Sequence, residues 1–243
     1  MTGGQADRLT VHRNPLRMFL SLGPWAATAY LASYLVVGTA VFAVCVAAVS
    51  VSLVAGLLTI GVPLLVGSAL VVRGCAQVER LRARLVMPQI GVAYLPVTEA
   101  GVLAQVRTRW TDPATLRDTF YLVVLYLPLL ALDVVVLVIW LGLLAGITLP
   151  VWYWSVRNGA NGDGIRIGYF ANGPHGTFGV SVGSLPAALV VAVACAILAL
   201  CWGYLVVAGA RLHTVVAGRL LGPYRDPLAP AKLILAAPGP LRG

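Results

Sequence analysis

Apolar residues run along this chain in blocks far longer than the short alternations that mark a helix or strand in water. The first block, Met18 to Val72, holds 55 residues without an Asp, Glu, Lys or Arg. As one helix it would reach roughly 80 Å, against a hydrocarbon core of about 30 Å, so it is expected to fold back. The turn is placed near Ser50 and Ser52, the midpoint of the run, with Gly61 and Pro63 as the alternative mark of a kink in the second arm. Two later blocks complete a set of four spans: Thr28 to Val49, Val51 to Val72, Phe120 to Ala145 and Leu185 to Ala210. Asp133 is the one charged residue within them. The expected fold is an all-α polytopic membrane protein, a four-transmembrane-helix bundle with both termini in the cytoplasm. Its domains are a cytoplasmic segment 1–27, a transmembrane domain 28–222 and a Pro-rich cytoplasmic tail 223–243.

The polar segments orient the bundle. Fifteen of the seventeen basic residues precede span one, lie between spans two and three, or follow span four. The loop between spans three and four has only Arg157 and Arg166. Cytoplasmic loops accumulate Lys and Arg, so that loop faces outward and the N-terminus inward. A single span across the first block would put the seven-arginine loop outside, so the charge pattern independently favours two. The mixed polarity of Met1 to Ala27 argues against a cleaved signal peptide, and the first span is expected to remain as an anchor.

Within the inner loop, the stretch Val71 to Val86 continues span two as a basic helix, with Arg73, Gln77, Arg80 and Arg84 on one side. Asp112 before Pro113 reads as an N-cap with proline at the first helical position. Val97 to Trp110 is expected to form an interfacial helix. The outer loop is glycine-rich and contains three Asn-Gly pairs, which favour tight turns and a small hairpin around Ile165 to Phe170.

Composition agrees. The chain is 60% hydrophobic and 10% charged, with net charge +9, where soluble domains carry about 25% charged residues. A nucleic-acid binder would gather its basic residues on a folded soluble face; here they flank apolar runs, so nucleic acid is not an expected partner. Cys45, Cys195 and Cys201 lie within apolar runs and Cys75 among arginines, which makes no disulfide framework. The three histidines are too scattered for a metal site, and no Walker, nucleophile-elbow or HExxH motif is present. No cofactor, metal or catalytic residue is assigned.

Three segments, NPLRMFLSLGPWAATAYLASYL from Asn14, GVPLLVGSALVVRGCAQVERLRARL from Gly61 and DPATLRDTFYLVVLYLP from Asp112, resemble in order and spacing the membrane-embedded sensor domain of actinobacterial histidine-kinase-associated proteins. Gly-Val-Pro, Glu79-Arg80 and Arg117-Asp118 carry the resemblance. Leu116 departs from it, since the family often has tryptophan there. The sequence has no H-box helix pair or ATP-binding region, so the resemblance implies a sensory module without kinase activity.

Asp133 is the sharpest candidate for chemistry, because a charge at the centre of a span costs about 2.5 to 3.5 kcal/mol. A neutral carboxyl bonded to another helix is expected, with Thr39 and Thr59 as candidate partners. Tyr126, Asp133 and Trp140 are spaced by seven and share a face. With His175 in the outer loop they form the candidate signal or ligand set. Arg73, Arg80, Arg82, Arg84 and Arg117 form the candidate lipid- or partner-facing basic set. Small residues at four-residue spacing, Ala43 with Ala47, Gly142 with Gly146, and Ala188, Ala192 and Ala196, permit close helix approach. The expected function is a noncatalytic sensory or regulatory module in the plasma membrane. Its expected partners are the bilayer, a separate histidine kinase or other regulatory membrane protein, and a second copy of the chain. The alternative is a small transporter or channel subunit that uses Asp133.

Overall fold

A computed structural model of the chain describes residues 9, 11–56, 61–92, 94–96, 101–155, 165–169 and 178–223. His175, Thr59, the three Asn-Gly pairs and the Pro-rich tail beyond 223 lie outside those residues. The described chain is helical apart from one hairpin. Its helices group into two compact units, one of 36–129 with 212 onward and the other of 6–35 with 130–211.

The first apolar block does not turn at its serines. Helices α2 (Leu22–Ser33) and α3 (Thr39–Gly56) join through a π-helical turn, Tyr34–Gly38, into one apolar helix of 35 residues. Ser52 stays helical because its hydroxyl bonds back to the Ala48 carbonyl at 2.7 Å and across to Leu64 O at 3.0 Å, so the polar group is satisfied without breaking the ladder. Helix α4 (Gly61–Ala83) starts where a kink was the alternative. Pro63 falls in its first turn, where a backbone N–H has no partner inside the helix.

Ser52 meets Leu64, and Cys45 lies beside Cys75, so α3 and α4 run antiparallel. The described uncharged arm of α4 ends before Arg73, after twelve residues, roughly 18 Å of rise. Among the described residues, three helices are long and apolar enough to cross a membrane: Leu22–Gly56, Tyr126–Ile147 and Leu185–Leu220. The first of them runs past Val49 to Gly56, so the turn expected near Ser50 and Ser52 is not there.

In the first unit, α4 also packs against α5 (Val102–Thr111), α6 (Pro113–Thr119) and the π-helical turn Phe120–Val124. Gly101 stands at φ 115°, a conformation open to glycine, and leads into α5. Asp112 caps α6 through the Ala114 N–H at 3.0 Å, with Pro113 opening the helix as expected. In the second unit, α1 (Pro15–Leu20) is capped by Asn14. Helix α7 (Tyr126–Ile147) is followed by the short α8 (Leu149–Trp152). Strand β1 (Ile165–Tyr169) pairs antiparallel with β2 (Phe178–Val182), in register from Ile165 with Val182, before α9 (Leu185–Leu220). The hairpin rests on Leu149, Val182 and Ala188, with Trp152 and Tyr153 against them. Helix α9 runs ten residues past the expected end of span four.

Candidate functional site

Arg73 and Arg80 are seven residues apart on α4, about 10 Å of rise; Asp112 and Asp118 are six apart on and before α6, about 9 Å. The two ladders match and pair. Arg73 Nη2 donates to Asp112 Oδ2 at 2.8 Å, and its Nε donates to Thr115 Oγ1 at 2.9 Å. Arg80 Nη2 donates to both Asp118 oxygens, at 2.9 and 3.2 Å. Asp112 does a third job: beyond the cap and the ion pair, its Oδ2 accepts the Leu95 N–H at 3.3 Å and holds the 94–96 loop that precedes α5.

Tyr94, on that loop, lies between the two arginines. The Arg73 guanidinium sits over its ring at 4.3 Å and that of Arg80 at 5.5 Å. Its hydroxyl donates to Asp118 Oδ2 at 2.6 Å and accepts from Arg80 Nη1 at 2.9 Å. The remaining edge of the Arg80 fork, Nε, donates to the carbonyl of Leu221 at 3.0 Å. One guanidinium therefore ties α4, α6, the 94–96 loop and the end of α9, a use that suits arginine's rigid planar donors. The chain leaves α9 at Gly222, where a Cβ would overlap the Gly218 carbonyl.

The cluster is dry. Arg80 is 4% exposed, Asp118 1% and Asp112 2%. Burial pushes the Asp118 carboxyl above its ordinary range, against the opposing pull of the Tyr94 hydrogen bond and the Arg80 charge. Burial likewise pushes the Tyr94 phenol up to about 12, helped by its bond to the Asp118 carboxylate and opposed by Arg80. A second buried pair joins Arg82 to Glu79 within α4, at 2.8 and 3.0 Å.

The basic set expected to face lipid or a partner thus divides. Arg80 and Arg82 turn inward, Arg80 to Asp118 on α6 and Arg82 to Glu79 three residues back on its own helix. Arg73 is largely covered by Asp112. Arg84 is exposed and Arg117 half-exposed. Of Arg73, Gln77, Arg80 and Arg84, expected on one side of the helix, Gln77 and Arg84 are exposed, Arg73 is half-buried and Arg80 is buried. The face of Tyr126, Asp133 and Trp140 is buried throughout, at 5%, 0% and 0% exposure. Tyr126 shares a hydrogen bond with Thr39 at 2.7 Å and stacks on Phe42 at 4.1 Å. Trp140 packs edge-on to Phe19 and Trp25. Tyr94, Asp118 and the Leu221 carbonyl were outside the expected set. The matching 7 and 6 spacings were the available signal, but Arg82 and Arg84 offer competing pairings that spacing alone cannot reject.

Among the described residues, no group of three or more His, Cys, Asp or Glu side chains is placed to hold a metal ion. A family model described as "Putative sensor" matches residues 30–221. No curated protein and no solved structure matches the chain.

Proposed function

The chain belongs to this sensor family, and from that premise we propose that it is a noncatalytic membrane sensory module whose buried arginine cluster relays helix movement to a separate regulatory partner. The observation that carries the reading is the single Arg80 guanidinium shared by Asp118, Tyr94 and the Leu221 carbonyl. A shift of α4 against α6 changes the geometry at all three acceptors, and through Leu221 it reaches the point where the C-terminal segment departs. Two arrangements whose balance a signal alters are all such a relay requires. The basic segments lie on the cytoplasmic side of a multi-pass protein, in keeping with the arginine distribution.

Loss of one partner from a buried pair costs about 3–5 kcal/mol. Arg80→Gln is therefore expected to free the end of α9, raising amide exchange at 218–221 at least tenfold, and to change what co-purifies from native membrane. Asp118→Asn keeps the shape and is expected to give a smaller change in the same direction. Unchanged exchange and unchanged recovery in both variants would remove the relay. A second reading, a transporter or channel subunit, draws on Asp133, fully buried in α7. Recovery of a transporter in place of a kinase or regulator would favour it.

A further inference from the structure

Every acidic side chain among the described residues is buried: Glu79 at 2% exposure, Asp112 at 2%, Asp118 at 1% and Asp133 at 0%. Three of them, Glu79, Asp112 and Asp118, are held by Arg82, Arg73 and Arg80 in the first unit. Internal pairing takes up the negative charge of that unit's described residues and leaves their outward surface basic. Arg84, Arg107 and Arg219 are exposed on it, with Arg109 and Arg117 half-exposed.

That surface is apolar between its arginines. Leu81, in the last turn of α4, and Leu85, in the turn that follows it, are 56% and 46% exposed and flank Arg84. Helix α5 buries none of its residues, and Leu103, 73% exposed, shares a face with Arg107 four positions on. Leucine interleaved with arginine on a short amphipathic helix suits the boundary between headgroups and acyl chains, where the apolar stem sinks and the guanidinium stays with phosphate. An acidic protein would match the charge and leave the leucines wet. Continuity points the same way: α5 leads through Asp112 and α6 into α7, a helix long and apolar enough to cross a membrane.

We propose that α5 and the end of α4 form a docking surface for anionic lipid headgroups of the adjoining leaflet. The inference rests on the membrane placement above and not on the relay. Its test uses the full chain in nanodiscs of phosphatidylcholine alone or with 30% phosphatidylglycerol, followed by amide exchange over 102–111. Exchange is expected to slow on adding the anionic lipid, by about fivefold per arginine engaged, and to recover in 0.5 M salt. The double variant Arg84→Gln/Arg107→Gln, both exposed positions, is expected to lose that difference while amides 73–80 keep their protection. Equal exchange in the two lipid mixtures, or a lipid effect that survives in the variant, overturns the proposal. So does protection found only in native membrane, which would assign the surface to a protein. None of these results touches the Arg80 relay, whose variants are read at 218–221.

Discussion

At the scale of single residues, Tyr94 and Asp118 do what neither does alone. The phenol offers a proton to a carboxylate whose burial disfavours charge, and Arg80 supplies the compensating cation to both. Raised pKa values fix the direction of the pH response. Tyr94, held near 12 against an ordinary value near 10, adds stability that is complete below about pH 10 and is lost as pH rises toward 12. Asp118, also raised, adds its share below the ordinary carboxylate range and loses it as pH climbs through its shifted value. Tyr94→Phe is expected to cost about 1–3 kcal/mol, because the carboxylate loses a buried donor. The variant is also expected to show a shallower fall in thermal midpoint between pH 10 and 12 than the parent protein; an identical alkaline slope would mean that the phenol is not held by the cluster. Sequence reading found the arginines and the capping role of Asp112. It missed the carboxylate partners because pairing across helices depends on relative rotation, which one residue of slippage reverses.

At the scale of elements, composition located most apolar helices but not their joins. Ser50 and Ser52 resemble turn residues only if their hydroxyls lack helical acceptors, and Ser52 has two. The π-helical turns at Tyr34–Gly38 and Phe120–Val124 carry no composition signal at all. Small-residue spacing was half informative. A Cβ on Gly146 would overlap the Cys195 sulfur, whereas one on Gly142 meets nothing within 4 Å, so α7 and α9 approach closely at the first position only. Ala43 and Ala47, from the same class of motif, are exposed. Gly146→Ala is expected to cost about 1–3 kcal/mol through overpacking and to be relieved by Cys195→Ala. Gly142→Ala is expected to be neutral or to gain up to about 1 kcal/mol from helix propensity. Thermal midpoints in detergent separate them; equal effects at both glycines would deny the close approach.

At the scale of the whole molecule, the number of crossings decides which surfaces meet the cytoplasm. The 35-residue helix Leu22–Gly56 rises roughly 52 Å, more than a hydrocarbon core needs. If α4 returns fully, the N-terminal segment and the α4–α6 region share a side. If Leu22–Gly56 crosses and α4 ends before recrossing, they lie on opposite sides. Charge discriminates between the two. Sharing a side leaves only Arg157 and Arg166 outside, while separation adds Arg8, Arg13 and Arg17 to them, so the positive-inside tendency favours the shared side. The charge pattern was legible in the sequence; the short uncharged arm of α4 was not, because Ser52 finds acceptors that let α3 run on to Gly56 and leave fewer residues before Arg73. The expected result is that cysteines placed at positions 13 and 84, in a background without the four native cysteines, resist a membrane-impermeant maleimide applied to intact cells. A cysteine at 154 is expected to react, and Trp154 is 70% exposed. Labelling at 13 with protection at 84 would establish the three-crossing arrangement. Labelling at 84 would place the arginine surface outside and remove both the cytoplasmic relay and its anionic leaflet.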